Sequence, residues 1–191
     1  MLKIGVDIDG ILTREDSISV WEKELTEYYN LKKKKGDLLS LKEKYELDMV
    51  EMINFYEDCT GKIASQIKAK KEACKFMKSI SKNNSIYIIT ARTKTEHTKK
   101  WLYENNIDYD HLIHSHKKDL ICNKYDIDIH IEDSPNIANL IAENTSTTVY
   151  LLETAYNKDA DLNSKVYKVR NLKEVQKIIK GVVFHGNEQR W

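Results

Sequence analysis

LKIGVDIDGILT, residues 2–13, is an apolar run that ends in two aspartates, a glycine and a threonine. Lys3–Ile8 reads as a buried strand, and a carboxylate at the tip of a buried strand is costly unless something offsets its charge. D-x-D by itself decides nothing, since it occurs four times, at Asp7/Asp9, Asp108/Asp110, Asp126/Asp128 and Asp159/Asp161. Only the first pair closes an apolar strand and is followed by a residue that lets the backbone turn tightly, Gly10, and then by the Thr13 hydroxyl. In open α/β sheets ligands gather beyond the carboxyl ends of the strands, where this pair stands.

Working outward, short apolar runs recur at Ser85–Thr90, Ile127–Ile131, Thr147–Leu152 and Val166–Val169, with a weaker one at His111–Ser115. Helical patterns separate them: Thr95–Tyr103 buries Trp101 and Leu102, Ser134–Ala142 opens on Ser-Pro, and Leu172–Ile179 repeats apolar residues at helical spacing. Strands alternating with helices predict an α/β fold, a Rossmann-like parallel sheet flanked by helices. One interval is too long. About seventy residues separate the first two strands, against the ~30 of a simple strand-helix-strand unit. The segments beginning at Ser17, Leu41 and Lys62 all read as helical, and only the last, expected to run to Ile80, is needed as the crossover. The surplus predicts a small helical cap over residues 17–61, inserted after the first strand into a core domain of residues 1–16 and 62–191.

Comparable strand ends carry more chemistry. SIYIIT delivers Thr90, followed by Ala91 and Arg92; IDIHIEDSP delivers Glu132, Asp133 and Ser134; HSHKKD places Lys117 and Lys118 just past the weak strand. If these strands are neighbours, carboxylates, a hydroxyl and an ammonium share one crevice. One carboxylate can attack phosphorus while another protonates the leaving oxygen and later deprotonates water. Carboxylates also suit Mg²⁺, a hard cation that takes oxygen ligands.

This set, in this chain order, resembles the haloacid dehalogenase (HAD) superfamily of phosphohydrolases. DIDGILT is similar to its first motif, IIT to its second, the lysine to its third and IEDS to its fourth. The resemblance implies that Asp7 is the nucleophile and Asp9 the general acid/base, which also lends its backbone carbonyl to the metal. It implies further that Asp7 and Asp133 supply carboxylate ligands to Mg²⁺, that Thr90 binds a phosphoryl oxygen, and that Lys118 stabilises the charge on nucleophile and phosphate. Lys118 is preferred to Lys117 because K-x-x-x-C resembles the nucleotidase branch. Glu132 is expected to help only from behind the ligands or through water. ITAR, Trp101, IEDSP, TAYN and the closing VYKVRNLKEV are similar to bacterial nucleotidases related to the cytosolic 5'(3')-deoxyribonucleotidases. In that branch Trp21 and neighbouring cap aromatics would sandwich a base, while Ala91 and Arg92 would help place the phosphate. The implied activity is a Mg²⁺-dependent phosphomonoesterase working through an aspartyl phosphate, with a nucleoside monophosphate as substrate. A phosphatase for another small phosphomonoester such as a sugar phosphate, or a non-catalytic binding module, stands as the alternative.

Composition narrows the partners. With 41% hydrophobic and 32% charged residues and a net charge of +1, nothing predicts a polyanion-binding surface, so a nucleic acid polymer is not an expected partner. The Lys32–Lys35 run reads as a solvated corner of the cap. Three cysteines, Cys59, Cys74 and Cys122, without C-x-x-C spacing fit free thiols of a reducing compartment, and no stretch reads as a membrane span or signal peptide. A cytoplasmic, unprocessed protein is expected, with the oligomeric state open and a homodimer included. His111, His114, His116 and His130 form no metal-ligand constellation; His130 alternates with isoleucines as a sheet residue does. The closing FHGNEQRW reads as a docked or frayed tail.

Overall fold

The structure is a computed structural model that describes residues 1–34, 41–93 and 95–188, without the side chains of residues 43 and 182–188. Its elements run β1 (Lys3–Val6), α1 (Ser17–Tyr28), α2 (Leu41–Tyr45), α3 (Met49–Gln66), α4 (Ala73–Ile80), β2 (Ser85–Thr90), α5 (Thr95–Glu104), β3 (His111–His114), α6 (Lys118–Tyr125), β4 (Ile129–Glu132), α7 (Pro135–Asn144), β5 (Thr148–Leu152), β6 (Val166–Val169) and α8 (Leu172–Glu188). Six strands form one sheet in the order β3-β2-β1-β4-β5-β6, and every pairing is parallel. The chain steps outward from β1 through β2 to β3, then crosses back to β4 and continues the other way. The reversal leaves a crevice between the carboxyl ends of β1 and β4, the place where open α/β sheets bind ligands.

Strand alternation sorts the two layers. Ile4, Val6, Ile86, Ile88, Ile129 and Ile131 pack with Phe76, Met77 and Ile80 of α4, Trp101 and Leu102 of α5, and Val175 and Ile179 of α8. The alternate residues Tyr87, Ile89, Val149 and Leu151 meet Cys122 of α6 and Ala138, Ile141 and Ala142 of α7. Gly5 lies on this second face because His130 crosses it: a Cβ there would stand 2.3 Å from His130 Nδ1.

The insertion is helical, as its length and periodicity predict. Phe55 of α3 is fully buried and meets Trp21 and Tyr28 of α1 edge-on, with ring centroids 6.1 and 5.9 Å apart. Asp48 starts α3 with a reciprocal cap, accepting from the Glu51 N–H at 2.8 Å while its own N–H donates to Glu51 at 2.7 Å. Within the lysine run Lys33 reaches Glu22 at 3.3 Å and Lys34 reaches Glu46 at 2.8 Å, Lys32 is exposed, and Lys35 lies outside the described residues.

One expected helix is two. The stretch 62–80 breaks between Gln66 and Ala73, so α3 runs through position 61/62 and the crossover helix is only α4. Ile67 turns extended, and Thr13 and Ala69 form an antiparallel bridge, flanked by Arg14 N–H to Lys68 O at 2.9 Å and Lys70 N–H to Leu12 O at 2.8 Å. Both strands of this strap join the insertion to the sheet. The Lys68–Lys71 segment has little apolar periodicity of its own, and pairing across the junction decides its conformation. At the other end, residues 184–188 continue α8, and 189–191 lie outside the described residues.

Phe55→Ala is expected to cost about 3–5 kcal/mol of unfolding free energy, as for other buried aromatics. Urea denaturation checks it; a loss below about 1 kcal/mol would show that the α1–α3 contact is not part of the cooperative core.

Candidate active site

Asp7 follows β1 directly and is 7% exposed, its N–H donating to Ile131 O at 3.1 Å across the switch point. The loop beyond folds tightly on itself. Leu12 and Thr13 N–H groups both donate to Ile8 O, at 2.8 and 3.1 Å, and the Gly10 N–H donates to Thr13 Oγ1 at 2.9 Å. Gly10 has φ +77°, and a Cβ on it would stand 1.8 Å from Asp133 Oδ2. Glycine is therefore required twice, for the left-handed backbone and for the approach of the fourth-motif loop.

Lys118, the first residue of α6, sends Nζ to Asp7 Oδ1 at 3.0 Å and to Glu132 Oε2 at 2.8 Å, and its side chain is 4% exposed. Lys117, at the start of the same helix, is exposed. Of the two lysines, Lys118 is the one that meets the carboxylates.

Glu132 is more than a bystander. Its Oε2 also faces His130 Nε2 at 3.3 Å, and its Oε1 accepts from the N–H groups of Asp133 and Ser134 at 3.2 Å each. Both oxygens are thus committed to internal partners. Carboxylate oxygens of Asp7, Glu132 and Asp133 lie within 4.8 Å of one another. Each of the three could offer one oxygen to a cation, and Glu132 is the one whose two oxygens both already accept from internal partners.

The electrostatics follow from burial. Asp7 is pushed up to about 7, chiefly by burial, then by the charges of Glu132 and Asp9, with Lys118 acting against the rise. Asp133 is raised as well, by burial and by Glu132 and Asp7. Glu132 goes the other way: burial would raise it, but Lys118 and His130 outweigh that and hold it below the usual carboxylate range. Burial likewise works against the charge on Lys118, and the two carboxylates more than restore it. Burial lowers His130. The cluster therefore contains two carboxylates short of positive charge beside one that is fully compensated.

Asp9, two residues on, points elsewhere. Arg92 grips it side-on, Nε donating to Oδ2 and Nη2 to Oδ1, both at 2.8 Å. Thr90 is buried at the end of β2, its Oγ1 accepting the Arg92 N–H at 3.3 Å. Ala91 is exposed at the rim. Trp21 is 9% exposed and set edge-on to Phe55 and Tyr56, so it lies in the packed interior of the insertion rather than presenting a free face. Tyr56 is the cap aromatic that feels Asp9: burial and then the Asp9 charge push its hydroxyl up.

The structure thus brings Asp7, Lys118, Glu132 and Asp133 together, sets Asp9 and Arg92 beside them, and leaves Trp21 in the insertion. Three contributors escape the sequence motifs. The Tyr156 hydroxyl donates to Asp133 Oδ2, Asn157 Nδ2 donates to Asp133 O at 2.8 Å, and Lys70 Nζ donates to Gly10 O at 2.7 Å. TAYN held the only sequence sign of the first two; nothing marked Lys70 among its neighbouring lysines.

The comparisons with known proteins agree with this architecture. No family model matches the chain. A nucleotidase of Clostridium acetobutylicum is 28% identical over 192 residues, covering 93% of each chain. Among solved structures, a haloacid dehalogenase-like hydrolase from Streptococcus pneumoniae superposes with a TM-score of 0.69 at 15% identity, covering 93% of this chain and 98% of its own. The HAD-hydrolase YfnB of Bacillus subtilis, bound to magnesium, superposes with a TM-score of 0.61 at 12% identity over 94% of this chain and 98% of its own. The sheet with its inserted helices has the fold of these haloacid dehalogenase-like hydrolases, and in sequence the chain is similar to bacterial proteins named nucleotidases.

Glu132→Gln keeps the shape but sets an amide against Lys118, and removing one partner of a buried pair typically costs about 3–5 kcal/mol. Chemical denaturation is expected to show a loss in that range; a change under about 0.5 kcal/mol would show that Glu132 does not hold the lysine.

Proposed function

We propose that the protein is a Mg²⁺-dependent phosphomonoesterase that dephosphorylates nucleoside monophosphates through a phosphorylated Asp7. The observation that carries this is Asp7 at the β1/β4 switch point with Lys118 Nζ 3.0 Å away. An anionic nucleophile and a fixed cation side by side suit attack on a phosphoryl group, whose oxygens need positive charge as electron density redistributes.

The donor set fits the metal. Asp7 and Asp133 offer hard oxygens within 4.8 Å of one another, and the burial and mutual repulsion that raise both are what a divalent cation would offset. Asp7 and Asp133, with the backbone carbonyl of Asp9, would hold Mg²⁺, and Tyr156 and Asn157 would steady Asp133 from behind. Bound there, the ion supplies charge neutralisation for the carboxylates and the phosphoryl oxygens.

The chain's own residues do the rest. An Asp7 oxygen attacks phosphorus and the bond to the leaving oxygen breaks, with the proton for that oxygen coming from Asp9. Asp9 then takes a proton from water, whose oxygen attacks phosphorus and breaks the bond to Asp7, regenerating the carboxylate and freeing phosphate. Lys118 holds charge on Asp7 and the phosphoryl group throughout, Thr90 offers its hydroxyl, and Ala91 at the rim offers backbone to the incoming phosphate. The insertion, helices α1 to α3, would act as the cap that excludes water and lines the leaving-group pocket, with Tyr56 toward the substrate.

Support for a nucleotide comes from the nucleotidase name of the Clostridium relative. Three free cysteines and the absence, among the described residues, of a helix long and apolar enough to cross a membrane support a cytosolic setting. Phosphate release from a panel of nucleoside monophosphates and sugar phosphates tests the substrate: nucleotides are expected to be preferred, and no preference for any of them would overturn that choice. Asp7→Asn is expected to abolish turnover with the fold intact, since the amide fits but cannot form the acyl phosphate; undiminished turnover removes Asp7 from the role.

The raised Asp7 also links the cation to pH. In the unfolded chain Asp7 gives up its proton near the ordinary 3.8, and in the metal-free fold only near 7. Its contribution to stability is thus fully present below the lower value and lost as pH rises through the upper one. A bound cation replaces that proton, so the Mg²⁺-induced rise in melting temperature is expected to be larger at pH 8 than at pH 6. Equal rises at the two pH values would contradict it.

A further inference from the structure

Arg92 lies just beyond β2, and its side chain is 2% exposed. Its fork closes on both oxygens of Asp9, a geometry that the point charge of a lysine cannot reproduce. The face of the guanidinium rests on the Trp101 ring, its carbon 5.0 Å from the centroid. The Trp101 indole N–H donates in turn to Ile67 O at 2.8 Å, a fully buried bond. Ile67 is where α3 gives way to the strap that joins the insertion to the sheet. An unbroken line of contacts therefore runs from the exit of the insertion, through Trp101 and Arg92, to Asp9.

The third guanidinium nitrogen, Nη1, is buried without a hydrogen-bond partner among the described residues. An unsatisfied buried donor costs stability, so packing alone does not favour an arginine here. Asp9, meanwhile, sits on a loop with a side chain 34% exposed, and Arg92 is the side chain among the described residues that pairs with its carboxylate.

We propose that Arg92 is the positioning residue of Asp9: its two-pronged grip, braced on Trp101, fixes where the Asp9 carboxylate stands relative to the leaving oxygen. This assigns Arg92 to the proton-transfer group rather than to the phosphate alone, and it rests on the reading of Asp9 as the group that protonates the leaving oxygen. Through Trp101 the same grip is tied to the strap, so the seating of the insertion and the placement of Asp9 are set together.

A poor leaving group needs the proton and a good one does not, which separates positioning of Asp9 from phosphate binding. The test compares kcat/KM for an alkyl phosphate and for p-nitrophenyl phosphate in the wild type, Arg92→Lys and Asp9→Asn, since kcat/KM covers the steps up to loss of the leaving group. Misplacing a reacting group by about 1 Å costs about 10²-fold, so Arg92→Lys is expected to lose about that much with the alkyl ester and under tenfold with the aryl ester. Equal losses for the two esters overturn the proposal. Asp9→Asn distinguishes the two levels. If it is selective against the alkyl ester and Arg92→Lys is not, the positioning role fails and Asp9 keeps its own; if Asp9→Asn lowers both esters equally, the role of Asp9 fails and the proposal falls with it. Should Arg92→Lys not fold, Trp101→Phe keeps an aromatic ring and removes the bond to Ile67. It is expected to show the same selectivity at smaller size, and equal losses there overturn the proposal too.

Discussion

One cation buried among three carboxylates governs this molecule. Lys118 pairs with Asp7 and Glu132 where water scarcely reaches, and each of those contacts limits what the other groups can do. Glu132, with His130 behind it and two backbone N–H groups on its second oxygen, anchors the ammonium so firmly that it is in effect part of the scaffold. Asp7 receives what remains. It is close enough to be held in place and under-compensated enough to be short of positive charge, a combination that suits the role proposed for it as nucleophile. Buried ion pairs seldom maximise stability, and this one is better understood as orientation gained at the cost of some stability.

The fold serves that cluster directly. Reversal of strand order beside β1 opens the crevice, and parallel pairing delivers Asp7 and Asp133 to the same end of neighbouring strands. Gly5 clears the space that His130 crosses, and Gly10 clears the space that Asp133 enters. Both are places where the backbone has to give way to a polar side chain so that charge can be packed closely.

Much of this was legible in the sequence because periodicity and local turn chemistry carry it. The strands fall within a residue or two of the apolar runs, and DIDG, IIT and IEDS announce the strand ends by placing polar side chains where an apolar run stops. The 62–80 stretch was not legible. Its helical composition spoke for one element, whereas pairing with residues 12–14 across the junction breaks it into two, and such pairing has no local signature. Lys118 could be chosen over Lys117 only by likeness, while in the fold the first residue of α6 turns inward and its neighbour outward. Tyr156 and Lys70 arrive at the site from a loop and from the strap, where no periodicity points inward. Trp21 shows the converse: an aromatic at helical spacing is packed in the insertion, edge-on to Tyr56, whose hydroxyl is raised by burial and then by the Asp9 charge.

The central claim is that Asp7 becomes covalently phosphorylated, and acid-quench mass spectrometry of the protein turning over a phosphomonoester, with Asp9→Asn used to slow hydrolysis, addresses it most directly. The account expects a phosphoryl group on the peptide that begins the chain, mapped to Asp7 and absent from Asp7→Asn. Turnover with no phosphorylated peptide, or a phosphoryl group mapped to Asp133 or to a cap residue, would contradict it.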